Sequence, residues 1–450
     1  MILTGNTKKV LLKLSMPLIF SNIIATLYSL ADGIWLARLS YTEFAATSFT
    51  WPLVFLFISI TIGVSIAGTS IISQMIGAGN KKKSTQYANN LILLSSGMGI
   101  FFSIIGYSLA PTLIGLMGAK GELYRHSLTY FKVNTLGILV DSLYFAFQAI
   151  LNAQGKTKQT TVMGLVSGFL NIVLDPFFIF ATVPFINIPG LNMGVAGAAV
   201  ATILAKIVAL IIGFIQIKKD KTNLEVDRRH LKFDWNISKH LFNLAIPTAI
   251  GRSSAALGFS VMNALIVSYG QEIVAAFSMV NRITDFWMQI SMGIGAAMTS
   301  MIGQNYGAKQ FARARQIKND AILFGGITSA IGMALLIAFP TVLLRIFIDP
   351  AVDTNVYNIA MEYIYFAIAN VPFMALFNIY QGLFQGTGKM KYSMHMSTGR
   401  LWLIRVPFVL FVTKFTQMGT LGIWISMLLS NVLTDAYSIY ITKTRNILED

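Results

Sequence analysis

The chain contains no cysteine among its 450 residues, which excludes disulfides, thiolate nucleophiles and cysteine-ligated metals together. Charge is also scarce, at 12% of residues against 55% hydrophobic, and a soluble chain of this length needs more polar material to cover its surface. Histidine is confined to His126, His230, His240 and His395, scattered and without an HExxH pair, so zinc hydrolysis has no carrier. Gly155-Lys156-Thr157 looks like the end of a phosphate-binding loop, but Ile150 stands where the upstream glycine is required, and ATP hydrolysis is rejected. The longest hydrophilic stretch, Lys218 to Lys239, is too short to be a catalytic domain. No enzyme is expected, and no cofactor.

What the chain has in quantity is apolar sequence. Helical spans are expected at about 10–37, 44–77, 87–117, 124–152, 158–181, 193–216, 239–268, 271–305, 313–346, 354–385, 391–413 and 418–441. Each is long enough to cross a hydrocarbon core of about 30 Å at about 1.5 Å per residue, so the fold expected is an all-α polytopic membrane protein of twelve helices. The first run follows Lys8 and Lys9, exceeds a signal h-region and lacks a small-residue cleavage site, and is expected to be retained. The formal net charge is +16, but it is not gathered with stacking aromatics as in a nucleic-acid binder. It sits in short loops. Lys8, Lys9, Lys81, Lys82, Lys83, Lys156, Lys158, the cluster from Lys218 to Lys239, Lys309, Arg313, Arg315, Lys318, Lys389, Lys391, Lys443 and Arg445 fall on one side, against Arg38, Lys120, Arg125, Arg345 and Lys414 on the other. The positive-inside rule then puts both termini in the cytoplasm and the chain in the plasma (inner) membrane. The bilayer is its expected partner, and nucleic acid is not.

The two halves are related. Sliding residues 11–82 forward by the spacing between Pro17 and Pro247 pairs Leu14 with Leu244, Gly63 with Gly293, Thr69-Ser70 with Thr299-Ser300, Gln74 with Gln304 and Gly77-Ala78 with Gly307-Ala308. Gln148…Gly155-Lys156 echoes Gln381…Gly388-Lys389, and Met193-Gly194 echoes Met418-Gly419. Six helices per half means both halves start from the same side, a parallel repeat about an axis along the membrane normal. The domains expected are an N-terminal lobe at 1–217, a cytoplasmic linker at 218–238 and a C-terminal lobe at 239–450, around a central cavity.

A carboxylate at membrane depth costs at least about 2.5–3.5 kcal/mol on insertion scales, so it faces a cavity or a partner and is a functional candidate by default. Asp32 and Asp175 fall at matched depths in the outer halves of the first and fifth spans. Tyr28 lies one turn before Asp32 and Asn171 one turn before Asp175, so each acid shares a face with a hydrogen-bonding side chain. Thr202 on the sixth span adds a hydroxyl, and Pro176 releases the Ile172 carbonyl from its helical bond. This oxygen set suits either two acids sharing a proton or a hard ion such as sodium at Asp32, Asn171 and Asp175; holding helices together is the alternative. Pro17 weakens the first helix and is a candidate gate, or else marks a static kink. Asp141 either pairs with Lys206, lines a water route or joins the ion site. Arg282 and Asp285 neutralise each other or act in transport. Arg252, Arg400 and Arg405 either bind an anionic substrate or answer Asp285.

The repeat, the twelve spans, the run from Ala275 through Gly293 to Gly303-Gln304-Asn305-Tyr306-Gly307-Ala308, and Asn171-Ile172-Val173-Leu174-Asp175-Pro176 resemble the multidrug and toxic compound extrusion (MATE) family of the flippase superfamily. Pro17, Tyr28, Asp32, Asn171 and Asp175 resemble its DinF-like and archaeal branch, which implies an ion-coupling site in the N-terminal lobe. Arg252, and the lack of a central acid on the seventh and tenth spans, depart from the other branch. The resemblance implies a secondary antiporter, monomeric, that exports small drug-like, often cationic compounds in exchange for H+ or Na+. The 21 Met and 32 Phe offer adaptable walls for such ligands, although most must simply pack or face lipid. Export or flipping of lipid-linked or anionic substrates remains the alternative function, supported by the arginines.

Overall fold

A computed structural model describes residues 1–219, 224–225, 232–348, 350–351 and 353–449. The middle of the expected linker, with Lys221, Arg228, Arg229 and His230, lies outside the described residues. The first half is built from α1 (Thr7–Leu39), α2 (Tyr41–Gly77), α3 (Lys81–Leu116), α4 (Gly121–Ala153), α5 (Thr157–Ile179) and α6 (Val195–Lys219). The second has α7 (Trp235–Val267), α8 (Gln271–Gly307), α9 (Phe311–Ala338), the one-turn α10 (Pro340–Arg345) and α11 (Thr354–Gly386). It ends with α12 (Met390–Thr398), a π-helix (Gly399–Arg405), α13 (Val406–Phe415) and α14 (Gly419–Thr444). The segments α12, π-helix and α13 follow without a gap as one 26-residue span, so twelve long rods are present among the described residues. Ten are long and apolar enough to cross a membrane. The other two, α8 and α14, have the length, at 37 and 26 residues, but carry polar groups in their interiors, among them Arg282, Asp285, Asn431 and Asp435.

The expected ninth span, 313–346, is interrupted. Pro340 cannot continue α9 because it lacks the N–H and crowds the preceding turn, and it opens α10 instead. Pro17, by contrast, lies inside an unbroken α1.

The sequence repeat is visible in the packing. A side chain at Gly63 would meet the Ala249 amide nitrogen at 2.9 Å and the Ala245 carbonyl at 3.1 Å, so α2 approaches the middle of α7 at contact that only hydrogen on Cα allows. A side chain at Gly293 would meet the Ile19 nitrogen at 2.9 Å, the same contact with both partners displaced by one repeat. Turn geometry repeats as well: φ is +73° at Gly155 and +74° at Gly388, +55° at Gly194 and +56° at Gly419, left-handed values that glycine adopts at little cost.

Contacts group Phe20–Ala249 into one compact unit and Met1–Ile19 with Ile250–Asp450 into the other. The chain passes from one unit to the other inside α1 and α7, in each case two residues beyond a proline, Pro17 and Pro247. The first unit is cored on α2, α3, α4 and α5 by Ile72, Leu91, Phe147, Ile150, Leu151 and Met163. In the second, Leu11, Leu14, Met298, Met301, Ile302 and Phe384 form one cluster and Ile364, Val409 and Trp424 belong to another.

Candidate functional site

Within the unit Phe20–Ala249, α1 lies close on α5: a side chain at Gly168 would meet the Tyr28 ring at 3.2 Å. That approach brings Asp32 within hydrogen-bonding reach of Asp175. Asp175 is fully buried and Asn171 is 2% exposed. The Asn171 amide donates to Asp175 Oδ1 at 2.9 Å and reaches Thr202 Oγ1 on α6 at 3.1 Å. The Thr202 hydroxyl donates in turn to the Ala198 carbonyl at 3.0 Å, leaving its own oxygen free to accept. Among the described residues, three buried oxygens then face no donor: Oδ1 of Asp32, Oδ1 of Asn171 and Oδ2 of Asp175. Buried acceptors normally find a donor, and three without one on adjacent turns of α1 and α5 are a set that a proton or an oxygen-seeking cation satisfies. All five residues read as an ion site thus come together.

Asp141 on α4 is paired. Lys206 Nζ lies 2.5 Å from its Oδ1, both side chains mostly buried, and Tyr28 lies within electrostatic reach of Lys206. Tyr130, which the sequence reading passed over, lies within reach of Asp32, Asp175 and Tyr28. It sits on the same long α4, one of many tyrosines in spans, and only the fold singles it out.

A different centre forms in the second unit. A cavity of about 340 Å³ is lined by α7, α8, α11, the π-helix and α14, with Phe259, Phe277, Trp287 and Met374 among its walls. Asp285, Arg400 and Arg405 line it, whereas Arg252 and Arg282 do not. Arg282 and Asp285 form no ion pair within 4.0 Å among the described residues, although Arg282 lies within electrostatic reach of Asp285; Asp285 also lines the cavity. Arg400 and Arg405 are 4% and 6% exposed and sit at the two ends of the π-helix region. Five residues are well over a turn apart in angle on an α-helix, but little more than one full turn on a π-helix, so the irregularity puts both guanidiniums on the cavity side.

Asp435, 3% exposed, was missed. It stands four residues after Asn431, the same Asn-x-x-x-Asp spacing as Asn171 and Asp175, and that recurrence was a legible signal. Neither of its carboxylate oxygens has a donor among the described residues.

A model of the MatE family matches residues 17–177 and again 247–411, two blocks that begin at the repeat-related prolines. The chain belongs to the MatE family. Members are membrane transporters rather than enzymes. Among relatives of this chain in the MatE family, the probable multidrug resistance protein YoeA of Bacillus subtilis is 24% identical over 91% of this chain and 88% of its own length. The probable multidrug resistance protein YpnP of the same organism is 27% identical over 97% and 96%. A solved structure of an outward-facing multidrug resistance MATE transporter of the MOP superfamily has the same fold, with a TM-score of 0.91, 24% identity and coverage of 99% and 98%.

Proposed function

We propose that this chain is a secondary multidrug exporter, moving amphipathic, often cationic compounds outward by alternating access in exchange for H+ or Na+ at Asp32, Asn171 and Asp175, with Tyr28 and Thr202 completing the site. The observation that carries the reading is the trio of buried, donorless oxygens on those three residues. The names of the two Bacillus relatives support drug export. No cofactor beyond the coupling ion is needed.

The lobes at 1–217 and 239–450 are the moving bodies in this reading, and the loop arginines and lysines favour cytoplasmic termini in a plasma (inner) membrane. A monomer suffices, because each ion oxygen comes from one chain. Pro17 is the gate: it lies two residues before α1 changes units, and filling of the Asp32 site biases the bend there. Purified protein in liposomes, loaded with a fluorescent cationic dye, tests the proposal. Export is expected under an imposed proton or sodium gradient and not without one; gradient-independent dye movement would overturn it.

A further inference from the structure

Among the described residues, the two arginines of the π-helix hydrogen-bond only to neutral partners. Arg405 donates through Nε to Ser430 Oγ at 2.9 Å, and through Nη2 to Asn431 Oδ1 at 3.1 Å and the Met427 carbonyl at 3.4 Å. Arg400 donates through Nη1 to Met374 Sδ at 3.2 Å and Asn431 Oδ1 at 3.5 Å, and its Nε has no acceptor among the described residues. Its guanidinium carbon lies 4.1 Å from the Phe377 ring centre. Neither makes an ion pair within 4.0 Å among the described residues. Asp435 is within electrostatic reach of Arg400 but makes no ion pair within 4.0 Å, and Asp285 is the only acid on the cavity wall, among the described residues.

Two desolvated guanidiniums on one wall, held by hydroxyl, amide, carbonyl and thioether, are oriented without a direct ion pair among the described residues. Taking such charges out of water is costly unless a counter-charge arrives. Guanidinium is also the group best matched to a planar oxyanion, which it grips through two parallel N–H donors. Around the pair the wall turns aromatic and thioether-rich, with Phe259, Phe277, Trp287 and Tyr363. Tyr363 is held flat by stacking on Trp424 at 4.1 Å, its hydroxyl tied to Asn281 at 3.0 Å. A volume of about 340 Å³ is at the small end of ligand cavities.

We propose that this cavity binds an amphipathic organic anion, with one carboxylate or similar oxyanion between Arg400 and Arg405 and its aromatic body against Phe259, Phe277 and Trp287. Asp435 is the internal counter-charge with which the ligand competes. The site lies wholly in the unit Met1–Ile19 with Ile250–Asp450, on residues separate from Asp32 and Asp175. It goes beyond the export of cations.

The test is equilibrium binding of radiolabelled p-aminohippurate to the purified full chain, with procainamide as competitor. The two probes share a p-aminobenzamide body and differ in carrying a carboxylate or a tertiary ammonium. Saturable binding of the anion is expected, with procainamide competing at least about tenfold less well. Arg400→Gln and Arg405→Gln each weaken the anion about tenfold or more, and Asp435→Asn, which removes the competing negative charge, tightens it several-fold. Each variant is first checked for a monodisperse gel-filtration peak. Should either arginine variant fail to fold, Asp435→Asn decides, because misfolding does not tighten binding. No saturable anion binding, equal competition by procainamide, binding indifferent to both arginines, or weaker binding in Asp435→Asn would each overturn the proposal. No ion gradient enters the assay, so such a failure leaves the coupled-export reading standing.

Discussion

Asp175→Asn is the sharpest perturbation of the ion site, because it removes a charge while keeping shape. Asn171 donates to Asp175 Oδ1 within α5, and an amide at 175 preserves that bond by presenting its oxygen, so Asn171 stays oriented toward Thr202 on α6. What changes is the capacity to hold a proton or a cation. A monovalent cation about 4 Å from a carboxylate gains roughly 4 kcal/mol at an effective dielectric constant near 20. At about 1.4 kcal/mol per decade, loss of one carboxylate weakens cation occupancy by roughly three orders of magnitude. If the coupling ion is a proton, the amide cannot take it up at all. Either way, dye export from proteoliposomes falls to the level measured without a gradient, under imposed proton and sodium gradients alike. Asp32→Asn behaves the same way. Since neither substitution leaves a cavity, yield and gel-filtration profile stay as in the parent. Gradient-driven export at the parental rate by either folded variant would refute the assignment.

Three further outcomes are expected. Gly63→Ala and Gly293→Ala each force a β-carbon to within about 3 Å of a neighbouring backbone nitrogen and should lower the melting midpoint by the equivalent of about 1–3 kcal/mol. Gly97→Ala, where nothing lies within 4 Å, should not, and equal midpoints would remove the close-approach argument. Pro17→Ala should slow transport at least about fivefold while sodium or proton binding, read by calorimetry or by a pH dye, persists; parental transport would leave rigid rocking as the better account of gating. A single cysteine at the exposed Lys232, in a chain that otherwise has none, should react with a membrane-impermeant maleimide in inside-out vesicles but not in intact cells, and labelling from outside would reverse the topology.

Much of the molecule was legible in the sequence because a bilayer imposes one-dimensional rules. Every backbone polar group in hydrocarbon must be satisfied within its own segment, so apolar runs of sufficient length become helices wherever they occur. The twelve rods follow from this. The repeat was equally local, since Gly63 and Gly293, or Gly155 and Gly388, announce the same turn or contact by position alone. Asp32, Asn171 and Asp175 could be named because charge or an amide at membrane depth is costly enough to stand out, and four-residue spacing on a helix shows which side chains share a face.

What the sequence could not decide is what meets across helices, and how a helix departs from its ideal period. Asp141 had three open roles until Lys206, 65 positions away, was brought to 2.5 Å. Arg282 and Asp285, three apart, seemed made to pair, yet the packing of α8 turned Asp285 to a cavity that α7, α11 and α14 complete. Arg400 and Arg405 look like opposite faces under a 3.6-residue period, and only the π-helix sets them side by side. Likewise, α1 and α7 read as the first helices of their lobes, while their contacts divide at Ile19 and Ala249. Periodicity and burial cost act along the chain and can be read from it, whereas partner choice depends on distances between segments that only the packed fold sets.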